Sequence, residues 1–430
     1  MTTSLLTDHY ELTMVRAAIH SGVHNRHSVF EMFARHLPEG RRYGIVAGAG
    51  RLLDALDEFR FSDEDIEFLR RAGIADDALS EWLADYRFTG SIWGYPDGEA
   101  YFPNSPILIV EGGFAETVVV ETLALSIYNY DCAVASAASR MALMAGTRPC
   151  IEMGSRRTNE WSAVGAARAA YIAGFASTSN LQAGARYGVP TAGTAAHSFV
   201  LLYDTERDAF SAQLATLGDD TTLLIDTYDV EQAVRTGVEL TQGRLGAVRI
   251  DSGDLAELAV SVRRLLDSLG ATETRIIVTS DLDEYQIASL RGAPVDGFGV
   301  GTSLVTGSGA PTCAFVYKLV ARAASDDPRA PLEPVAKLST GKASVGGRKY
   351  AVRRLDAKGR ATAEVIGVGV PPAGDTNDRP LLVQLVDHGA AVGREPLSEA
   401  RARHNRTIAE LPLVARKMSR GEPAIETVFQ

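Results

Sequence analysis

Residues 247–269 read AVRIDSGDLAELAVSVRRLLDSL, in which a short apolar run, a polar turn and an amphipathic run follow one another directly. The apolar run predicts a strand over Ala247–Ile250, and the spacing of apolar residues in the second run predicts a helix over Leu255–Leu269. Asp254 ends the polar turn, where its carboxylate can cap the helix. This order is typical of parallel α/β folds, whose chemistry collects in the loops that follow the strands.

The same order recurs between residues 149 and 301. Short apolar runs end in polar or glycine-rich loops and a helical pattern usually follows, which predicts a parallel α/β fold, either a barrel or an open sheet. The seven predicted strands are Pro149–Met153, Ala170–Ala176, Val189–Gly193, Thr222–Asp226, Ala247–Ile250, Arg275–Thr279 and Gly297–Gly301. The predicted helices are Val230–Gln242, Leu255–Leu269 and Glu284–Arg291.

The rest of the chain has a different pattern. Residues 1–120 mix helical and strand-like segments, and Ser62 with Asp65 is typical of a capping box at the start of a helix. The polar, proline-rich stretch Ala324–Pro334 predicts a loop or boundary, and Pro334–Gly369 alternates in the manner of strands. A chain of 430 residues suits two or three domains. We predict an N-terminal α/β region over 1–130, a catalytic α/β domain over 131–330 and a C-terminal region over 331–430.

Composition excludes several classes of protein. The formal net charge is −11, whereas a general nucleic-acid-binding protein would normally be basic. The three cysteines are widely separated and fit neither a disulfide framework nor a zinc site, so a reducing cytoplasm is expected. The stretch Glu116–Ala145 predicts one or two buried helices, and no uninterrupted apolar run reaches the roughly 18 residues of a membrane span. An acidic chain can bind anionic substrates only where Arg, Lys and backbone N–H groups converge.

Distinctive polar motifs lie at or directly after the ends of the predicted strands. Independent loops would rarely be placed this way by chance, and the carboxyl ends of parallel strands share one edge. We therefore predict a common rim that carries Arg, His, Asp and glycine-rich turns. The motifs are Gly154-Ser-Arg-Arg157, Ser177-Thr-Ser-Asn180, Gly193-Thr-Ala-Ala-His197, Asp226-Thr-Tyr-Asp229, Arg249-Ile-Asp-Ser-Gly-Asp254, Thr279-Ser-Asp281 and Gly299-Val-Gly-Thr-Ser303.

Arg249 and Asp251 belong to the most informative of these motifs, because alternation within a strand places both side chains on one face. Together at a strand end they suit an anionic ring substituent, a ribose diol and a Mg²⁺ ion. The alternative interpretation is a buried structural ion pair, with Asp254 as a helix cap.

Three other motifs have both a functional and a structural interpretation. Gly299-Val-Gly-Thr302 can bring backbone N–H groups and a hydroxyl close to phosphate oxygens, or it can form a tight turn between a strand and a helix. Arg156 and Arg157 can bind a carboxylate or phosphate, or they can form surface salt bridges. His197 can act as a nucleophile, although a lone histidine is more often a hydrogen-bonded structural residue.

Taken together, the motifs resemble those of the nicotinate phosphoribosyltransferases. The match spans about residues 5–350, and its specificity comes from the ordered set rather than from any single motif. It runs through Leu5-Leu-Thr-Asp-His-Tyr-Glu-Leu-Thr-Met14, Glu152-Met-Gly-Ser-Arg-Arg157, Gly193-Thr-Ala-Ala-His-Ser-Phe-Val200, Arg249-Ile-Asp-Ser-Gly-Asp254, Gly299-Val-Gly-Thr302 and Lys337-Leu-Ser-Thr-Gly-Lys342. The resemblance implies an irregular α/β barrel of about seven strands beside an α/β sandwich built from both chain ends. It also implies a dimer or larger assembly with sites near the subunit interface.

The resemblance further implies residue roles. Nicotinate would be bound by Tyr10, from the neighbouring subunit, and by Thr194, Arg249 and Arg156. The phosphoribosyl pyrophosphate would be bound by Arg157, Asp251, Asp254, Gly299, Gly301 and Thr302. ATP would phosphorylate His197, which with Arg249 and Asp251 forms the catalytic set, and Asp254 is the expected Mg²⁺ ligand. Which of Arg156 and Arg157 contacts nicotinate and which contacts phosphate stays open.

The implied activity joins nicotinate to 5-phosphoribosyl 1-pyrophosphate, with ATP as co-substrate, and makes nicotinate mononucleotide for NAD synthesis. One alternative is a nicotinamide phosphoribosyltransferase, which has an Asp where this chain has Ser179; a neutral residue there tolerates a carboxylate ligand. The other is a catalytically inactive binding relative, against which the complete motif set argues. Neither nucleic acid nor a membrane is an expected partner. The chain departs from the family at Met153, where an aromatic residue is usual, and at Ser177, which replaces a common Gly.

Overall fold

The computed structural model describes residues 3–325, 330–337, 344–374 and 376–430. The chain forms two compact units, one made of Met1–Ser136 with Ala310–Gln430 and the other of Ala137–Gly309. Both chain ends therefore contribute to the first unit, whereas the second is one continuous segment. Residues 338–342 of the motif that begins at Lys337 lie outside the described residues.

The unit Ala137–Gly309 is built around a six-stranded sheet in which every pairing is parallel. In hydrogen-bonded order its strands are Ser177–Thr178, Cys150–Glu152, Gly297–Val300, Arg275–Val278, Ala247–Ile250 and Thr222–Leu224. All four residues of Gly297–Val300 are buried, as expected for a central parallel strand that is covered on both faces. The carboxyl ends of these strands lie along one edge of the sheet.

Helices follow most of these strands and begin at side-chain caps. Asp254 accepts hydrogen bonds from the backbone N–H groups of Ala256 at 3.1 Å and Glu257 at 3.0 Å, and Asn159, Asp229 and Asp283 cap their helices in the same way. A cap satisfies N–H groups that have no partner within the helix. The helices are Glu160–Ile172, Leu181–Tyr187, His197–Val200, Glu206–Leu217, Val230–Leu240, Leu255–Ser268, Glu284–Ser289 and Thr302–Val305, with a 3₁₀ turn at Leu290–Gly292.

The predicted α/β alternation is confirmed, and five of the seven predicted strands appear within two residues of their predicted bounds. The prediction of a strand over Ala170–Ala176 is wrong. The helix Glu160–Ile172 covers its first residues, and the strand forms at Ser177–Thr178. The run is buried on every side of the helix, so its apolar composition did not distinguish a helix from a strand.

The predicted strand Val189–Gly193 is reduced to a single parallel bridge between Thr191 and Thr178. Within the described part of this unit, no backbone ladder joins Ser177–Thr178 to Thr222–Leu224. The observed sheet is therefore a half-barrel of six strands.

The other unit contains an antiparallel sheet of seven strands, a four-stranded sheet and a two-stranded sheet. In order, the large sheet consists of Leu332–Pro334, Phe315–Ala323, His27–Ala34, Leu108–Gly113, Ser91–Gly94, Val383–Asp387 and Ala390–Ala391. The four-stranded sheet consists of Arg379–Pro380, Lys349–Leu355, Ala361–Val368 and Glu426–Phe429, and the small sheet pairs Gly44–Ile45 with Ala100–Tyr101. Leu332–Pro334 lies in the stretch predicted as a loop, and it pairs only at the edge of the large sheet, where proline is tolerated.

Helices pack on these sheets around one hydrophobic core, in which the ring of Phe30 stacks on Tyr317 with centroids 4.9 Å apart. The predicted capping box is confirmed, because Ser62 and Asp65 each accept a hydrogen bond from the other's backbone N–H. The helices are His9–Ser21, Ala49–Asp57, Asp63–Arg71, Asp77–Asp85, Phe114–Val118 and Leu397–Glu410, with a 3₁₀ turn at Leu413–Arg416. The long helix Glu121–Ala145 begins in this unit and ends in the other.

One stretch of the described chain, Phe114–Ala145, is long and apolar enough to cross a membrane by length and composition alone. Of its most apolar window, 67% is buried inside the protein. A buried core helix meets the same criteria, so this stretch is weak evidence for a membrane span.

Candidate active site

Residues at the carboxyl ends of four neighbouring parallel strands surround one cavity of about 280 Å³. All of them belong to the unit Ala137–Gly309. The lining residues are Met153, Arg156, Arg157, Arg249, Asp251, Thr279, Ser280, Asp281, Gly299, Gly301 and Thr302. Three guanidinium groups and two carboxylates therefore face the same space, which suits a ligand that carries several anionic groups and a polar core.

Arg249 is the second-to-last residue of the strand Ala247–Ile250, and its side chain is partly buried. Its Nη1 donates a hydrogen bond to Thr194 Oγ1 at 2.8 Å, whereas its buried Nε has no hydrogen-bond partner in the described structure. Burial lowers the pKa of Arg249, the carboxylates of Asp251 and Asp226 oppose that effect, and the positive charge of Arg156 adds to it. A cation that has lost water and retains a free donor binds an anionic group strongly.

Asp251 follows the same strand two residues later and lines the cavity beside Arg249. Its carboxylate accepts a hydrogen bond from the hydroxyl of Thr279, at the end of the neighbouring strand. Its backbone N–H donates to Asp226 Oδ2 at 2.9 Å, at the end of the strand on the other side. Asp251 is thus held between two adjacent strand ends, and its second carboxylate oxygen remains available to a ligand.

His197 begins the short helix His197–Val200, and its side chain is 39% exposed. Its Nδ1 lies 3.0 Å from Thr227 Oγ1, within hydrogen-bonding distance. Its Nε2 lies 3.9 Å from Asp226 Oδ1 and 3.9 Å from Asp251 Oδ2. One ring nitrogen is therefore oriented by a hydroxyl, and the other faces two carboxylates while the ring stays accessible.

Backbone strain occurs inside the cavity at Ser280, whose φ is 130°. Residues other than glycine rarely adopt this conformation, and such strain is concentrated at functional sites. Ser280 lies between Thr279, whose hydroxyl donates a hydrogen bond to Asp251, and Asp281, which lines the cavity. The unusual turn therefore coincides with the point where a second carboxylate is presented to the site.

Gly299 lies where two neighbouring side chains leave no room for a methyl group. A Cβ at this position would lie 2.4 Å from Thr279 Cγ2 and 2.7 Å from Met153 Sδ. At Gly301 the nearest atom would be 3.4 Å away, which is an ordinary contact. Gly299, the first glycine of the predicted phosphate loop, is therefore required for packing between strands. At Gly301, the second, a larger side chain would not meet a steric clash at its Cβ.

The structure brings most of the predicted site residues together. Seven of them line the cavity, namely Arg156, Arg157, Arg249, Asp251, Gly299, Gly301 and Thr302. Thr194 and His197 lie next to the cavity. Thr194 accepts a hydrogen bond from Arg249, and His197 Nε2 lies 3.9 Å from Asp251 Oδ2. Asp254 does not line the cavity, because it caps the helix Leu255–Ser268 as the structural interpretation predicted. Tyr10 belongs to the other unit, on the helix His9–Ser21, and is 46% exposed.

Sequence reasoning did not select five residues that the structure places in or against the site. They are Asp226, Thr227, Thr279, Ser280 and Asp281. The sequence did contain a signal for them, because all five lie at or directly after the ends of predicted strands, within the polar motifs of the rim. Ser179, which the sequence suggested as a determinant of ring selectivity, lines a neighbouring cavity instead.

A parallel α/β sheet with an arginine-lined cavity at its carboxyl edge places this unit in the class of α/β folds whose ligand sites lie at the carboxyl ends of the strands. Comparison with known proteins narrows the class. The family model of the nicotinate phosphoribosyltransferase (NAPRTase) N-terminal domain matches residues 5–129. Nicotinate phosphoribosyltransferase pncB1 of Mycobacterium tuberculosis is 54% identical over 98% of this chain and 94% of its own length. Nicotinate phosphoribosyltransferase pncB2 of the same organism is 40% identical over 90% of this chain and 83% of its own length.

The crystal structure of human nicotinic acid phosphoribosyltransferase superposes on this chain with a TM-score of 0.86. The superposition covers 99% of this chain and 97% of the human one at 26% identity. The chain belongs to the nicotinate phosphoribosyltransferase family.

Proposed function

We propose that this protein is a nicotinate phosphoribosyltransferase of NAD synthesis, which converts nicotinate and 5-phosphoribosyl 1-pyrophosphate into nicotinate mononucleotide and pyrophosphate. The observation that carries the proposal is the single cavity shared by Arg156, Arg157, Arg249, Asp251 and Thr302. Family membership supplies the substrate class, and the cavity supplies the charges that those substrates require. The proposal follows from the two together.

The transferred group is the phosphoribosyl moiety. The ring nitrogen of nicotinate forms a bond to the anomeric carbon as the bond from that carbon to pyrophosphate breaks, through a transition state that resembles an oxocarbenium ion. The ring nitrogen already carries a lone pair, so the reaction needs no strong general base. The protein must align the two reactants and stabilise the charge of the departing pyrophosphate.

Arg249 is the residue we assign to the nicotinate carboxylate. Its free Nε and its desolvated charge favour an anionic partner, and Thr194 fixes the direction of its guanidinium. Arg156 lines the same cavity as Arg249, and its positive charge adds to the lowering of the Arg249 pKa that burial causes, which supports a place for Arg156 on the nicotinate side. Arg157, Gly299, Gly301 and Thr302 would then serve the phosphates.

A Mg²⁺ ion is expected with a pyrophosphate substrate, and the cavity residues fit it. Among the described residues, no group of three His, Cys, Asp or Glu side chains could hold a metal by itself. Mg²⁺ commonly takes one or two carboxylates together with substrate phosphates and water. Asp251 and Asp281 both line the cavity and would hold the ion, which when bound offsets the charge of the leaving group. Asp254 is assigned to the helix cap, so a direct role in metal binding is no longer the preferred assignment for it.

ATP is the proposed co-substrate, and His197 is the proposed acceptor of its γ-phosphoryl group. The accessible Nε2 is the atom that would form the N–P bond as ADP leaves. A phosphoryl group there would place new negative charge beside the buried Asp226 and beside Asp251. That repulsion provides a physical means for phosphorylation to change the site and to couple ATP hydrolysis to transfer.

We also propose the finer architecture that the family resemblance implies. The bridge at Thr191 supports closure of the half-barrel into an irregular seven-stranded barrel, with the sandwich formed by both chain ends. The domain bounds 1–130, 131–330 and 331–430, a cytoplasmic location and a homodimer remain proposals. The exposed ring of Tyr10 supports a role in a neighbouring subunit's nicotinate site.

The test is a transfer assay with purified protein, phosphoribosyl pyrophosphate and Mg²⁺. Nicotinate and nicotinamide are offered separately and in competition, with and without ATP, and each mononucleotide is quantified by chromatography. We expect nicotinate mononucleotide to form and ATP to increase its yield. Formation of nicotinamide mononucleotide alone would identify the other ring specificity, and formation of neither product would identify an inactive relative.

A further inference from the structure

Glu152 ends the strand Cys150–Glu152, and its side chain is fully buried. One carboxylate oxygen accepts a hydrogen bond from the backbone N–H of Gly154, at the start of the turn that carries Arg156 and Arg157. The other accepts a hydrogen bond from the hydroxyl of Thr178 on the neighbouring strand. One buried carboxylate therefore links the arginine turn to the segment 177–180, which consists of the next strand and the first residues after it.

A second connection lies beside the first. Thr178 Oγ1 accepts a hydrogen bond from the backbone N–H of Asn180 at 2.9 Å, and Asn180 Nδ2 donates to Ser155 Oγ at 3.0 Å. The Asn180 side chain also caps the helix Leu181–Tyr187. Two side chains thus join the arginine turn to the segment 177–180, namely those of Glu152 and Asn180.

Backbone hydrogen bonds extend this connection toward Thr194. The N–H of Thr178 donates to the carbonyl of Pro190 at 2.9 Å, and the carbonyl of Thr178 accepts from Ala192 at 2.9 Å. Thr194 follows two residues later and accepts the hydrogen bond of Arg249. The hydrogen bonds that start at Glu152 therefore reach the segments that bear Arg156, Arg157 and Thr194.

The chemistry of Glu152 is costly for a residue with a purely structural role. Burial raises the pKa of Glu152, and in the part of the chain that the structure describes no Arg or Lys opposes that effect. A glutamine could keep both contacts, because its carbonyl oxygen can accept from the Gly154 N–H while its NH₂ group donates to Thr178 Oγ1. An alanine can make neither hydrogen bond, so it removes the connection.

We propose that Glu152 is a positioning residue for phosphoribosyl transfer. Its carboxylate fixes the turn Gly154–Arg157 against the segment 177–180. Arg156 and Arg157 can then bind the substrate anions without a rearrangement of the turn. Donors that are fixed before binding stabilise charge better than donors that must be ordered on binding. The proposal rests on the proposed function, because it takes the two arginines as ligands of the substrate anions.

The test compares Glu152→Ala, Thr178→Val and their double variant with wild type. We expect each single variant to raise the KM for phosphoribosyl pyrophosphate at least about tenfold. The double variant should do little more than the worse single variant, because both remove the same connection. Thr178→Ser keeps the hydroxyl and should restore most of the loss. The matched controls are Glu273→Ala, at an exposed carboxylate, and Thr236→Val, at a buried threonine in the helix Val230–Leu240, and neither should change the KM.

Two measurements make the test independent of turnover. Calorimetry with inorganic pyrophosphate and Mg²⁺ gives a Kd, which should also rise at least about tenfold in both single variants. Hydrogen exchange followed by mass spectrometry should show faster exchange confined to peptides that cover residues 153–158 and 177–181. An unchanged KM and Kd, or faster exchange spread across the whole unit, would overturn the positioning role. If wild type made no mononucleotide, the proposed function would fail, and the exchange and pyrophosphate measurements would still decide the role of Glu152.

Discussion

Asp226 accepts a hydrogen bond from the backbone N–H of Asp251 at 2.9 Å, so the end of one strand positions the carboxylate at the end of the next. The same Oδ2 atom also accepts from the hydroxyl of Ser252 at 2.6 Å. The other oxygen, Oδ1, is buried and lies 3.9 Å from His197 Nε2. One nearly inaccessible carboxylate therefore holds Asp251 and Ser252 by hydrogen bonds and presents a negative charge to His197, which makes its replacement informative.

Replacing Asp226 with Asn should reduce kcat/KM for nicotinate mononucleotide formation by about 10- to 100-fold, because the amide oxygen can still accept from Asp251 and Ser252 but the negative charge beside His197 is lost. Steady-state kinetics with both substrates varied will measure the loss. Asp220→Asn removes an exposed carboxylate and serves as the control. Wild-type kinetics in Asp226→Asn would show that this carboxylate does not organise the site.

Replacing Arg249 with Ala should raise the KM for nicotinate by an amount equivalent to roughly 2–5 kcal/mol of lost charged contact. The KM for phosphoribosyl pyrophosphate should change less, because Arg156, Arg157 and Thr302 remain. Arg275→Ala removes a 56% exposed arginine from the start of the neighbouring strand and controls for loss of charge. An unaltered KM for nicotinate would remove Arg249 from the ring site.

Replacing His197 with Ala should abolish ATP hydrolysis and the stimulation of transfer by ATP, while slow transfer without ATP persists. The reason is that no phosphoryl acceptor remains beside Asp226 and Asp251. ADP release and mononucleotide formation can be followed in the same reaction, with His388→Ala, an exposed histidine of the other unit, as the control. Stimulation by ATP in His197→Ala would exclude the phosphohistidine.

Replacing Gly299 with Ala should lower the free energy of unfolding by about 1–3 kcal/mol, because the added methyl group would overlap Thr279 and Met153. The displaced side chains line the cavity, so affinity for phosphoribosyl pyrophosphate should fall as well. Gly292→Ala is the matched control, since a Cβ there would meet no atom within 4 Å. Equal melting temperatures for the two variants would contradict the packing argument.

The stability of the protein should fall as the pH is lowered from about 6.5 to 4, in part because of His404. Burial lowers the pKa of His404 to about 4, the charge of Arg401 adds to that effect, and a hydrogen bond with Asn405 opposes it. In this pH range the unfolded chain binds a proton that the folded chain excludes, so stability rises with pH. The full difference corresponds to about 3 kcal/mol.

His404→Gln should therefore show a smaller drop in melting temperature than wild type between pH 7 and pH 4.5. His388→Gln, at an exposed position, should behave like wild type. Parallel pH dependences for His404→Gln and wild type would show that the buried imidazole does not contribute.

Local sequence patterns predicted the strands of the parallel sheet where each apolar run was short and ended in a polar motif, as at Ala247–Ile250 and Gly297–Val300. They failed at Ala170–Ala176, because a helix that is buried on all sides has the same apolar composition as a buried strand. They also overestimated Val189–Gly193, where only Thr191 pairs with a neighbouring strand. Pairing depends on which segments meet, and no local pattern contains that information.

For the candidate site, too, some features were predictable from local sequence patterns and others depended on the fold. The amino-acid sequence by itself determined that Arg156, Arg157, Arg249, Asp251 and Thr302 lie at or directly after the ends of strands of a parallel fold, because strand ends and polar motifs are local features. Only the tertiary structure decided which hydrogen bonds Asp226 and Glu152 form beside the cavity, and that Asp254 caps a helix instead of lining the cavity. These distinctions depend on hydrogen bonds between neighbouring strands, whose partners are set by how the chain folds back on itself.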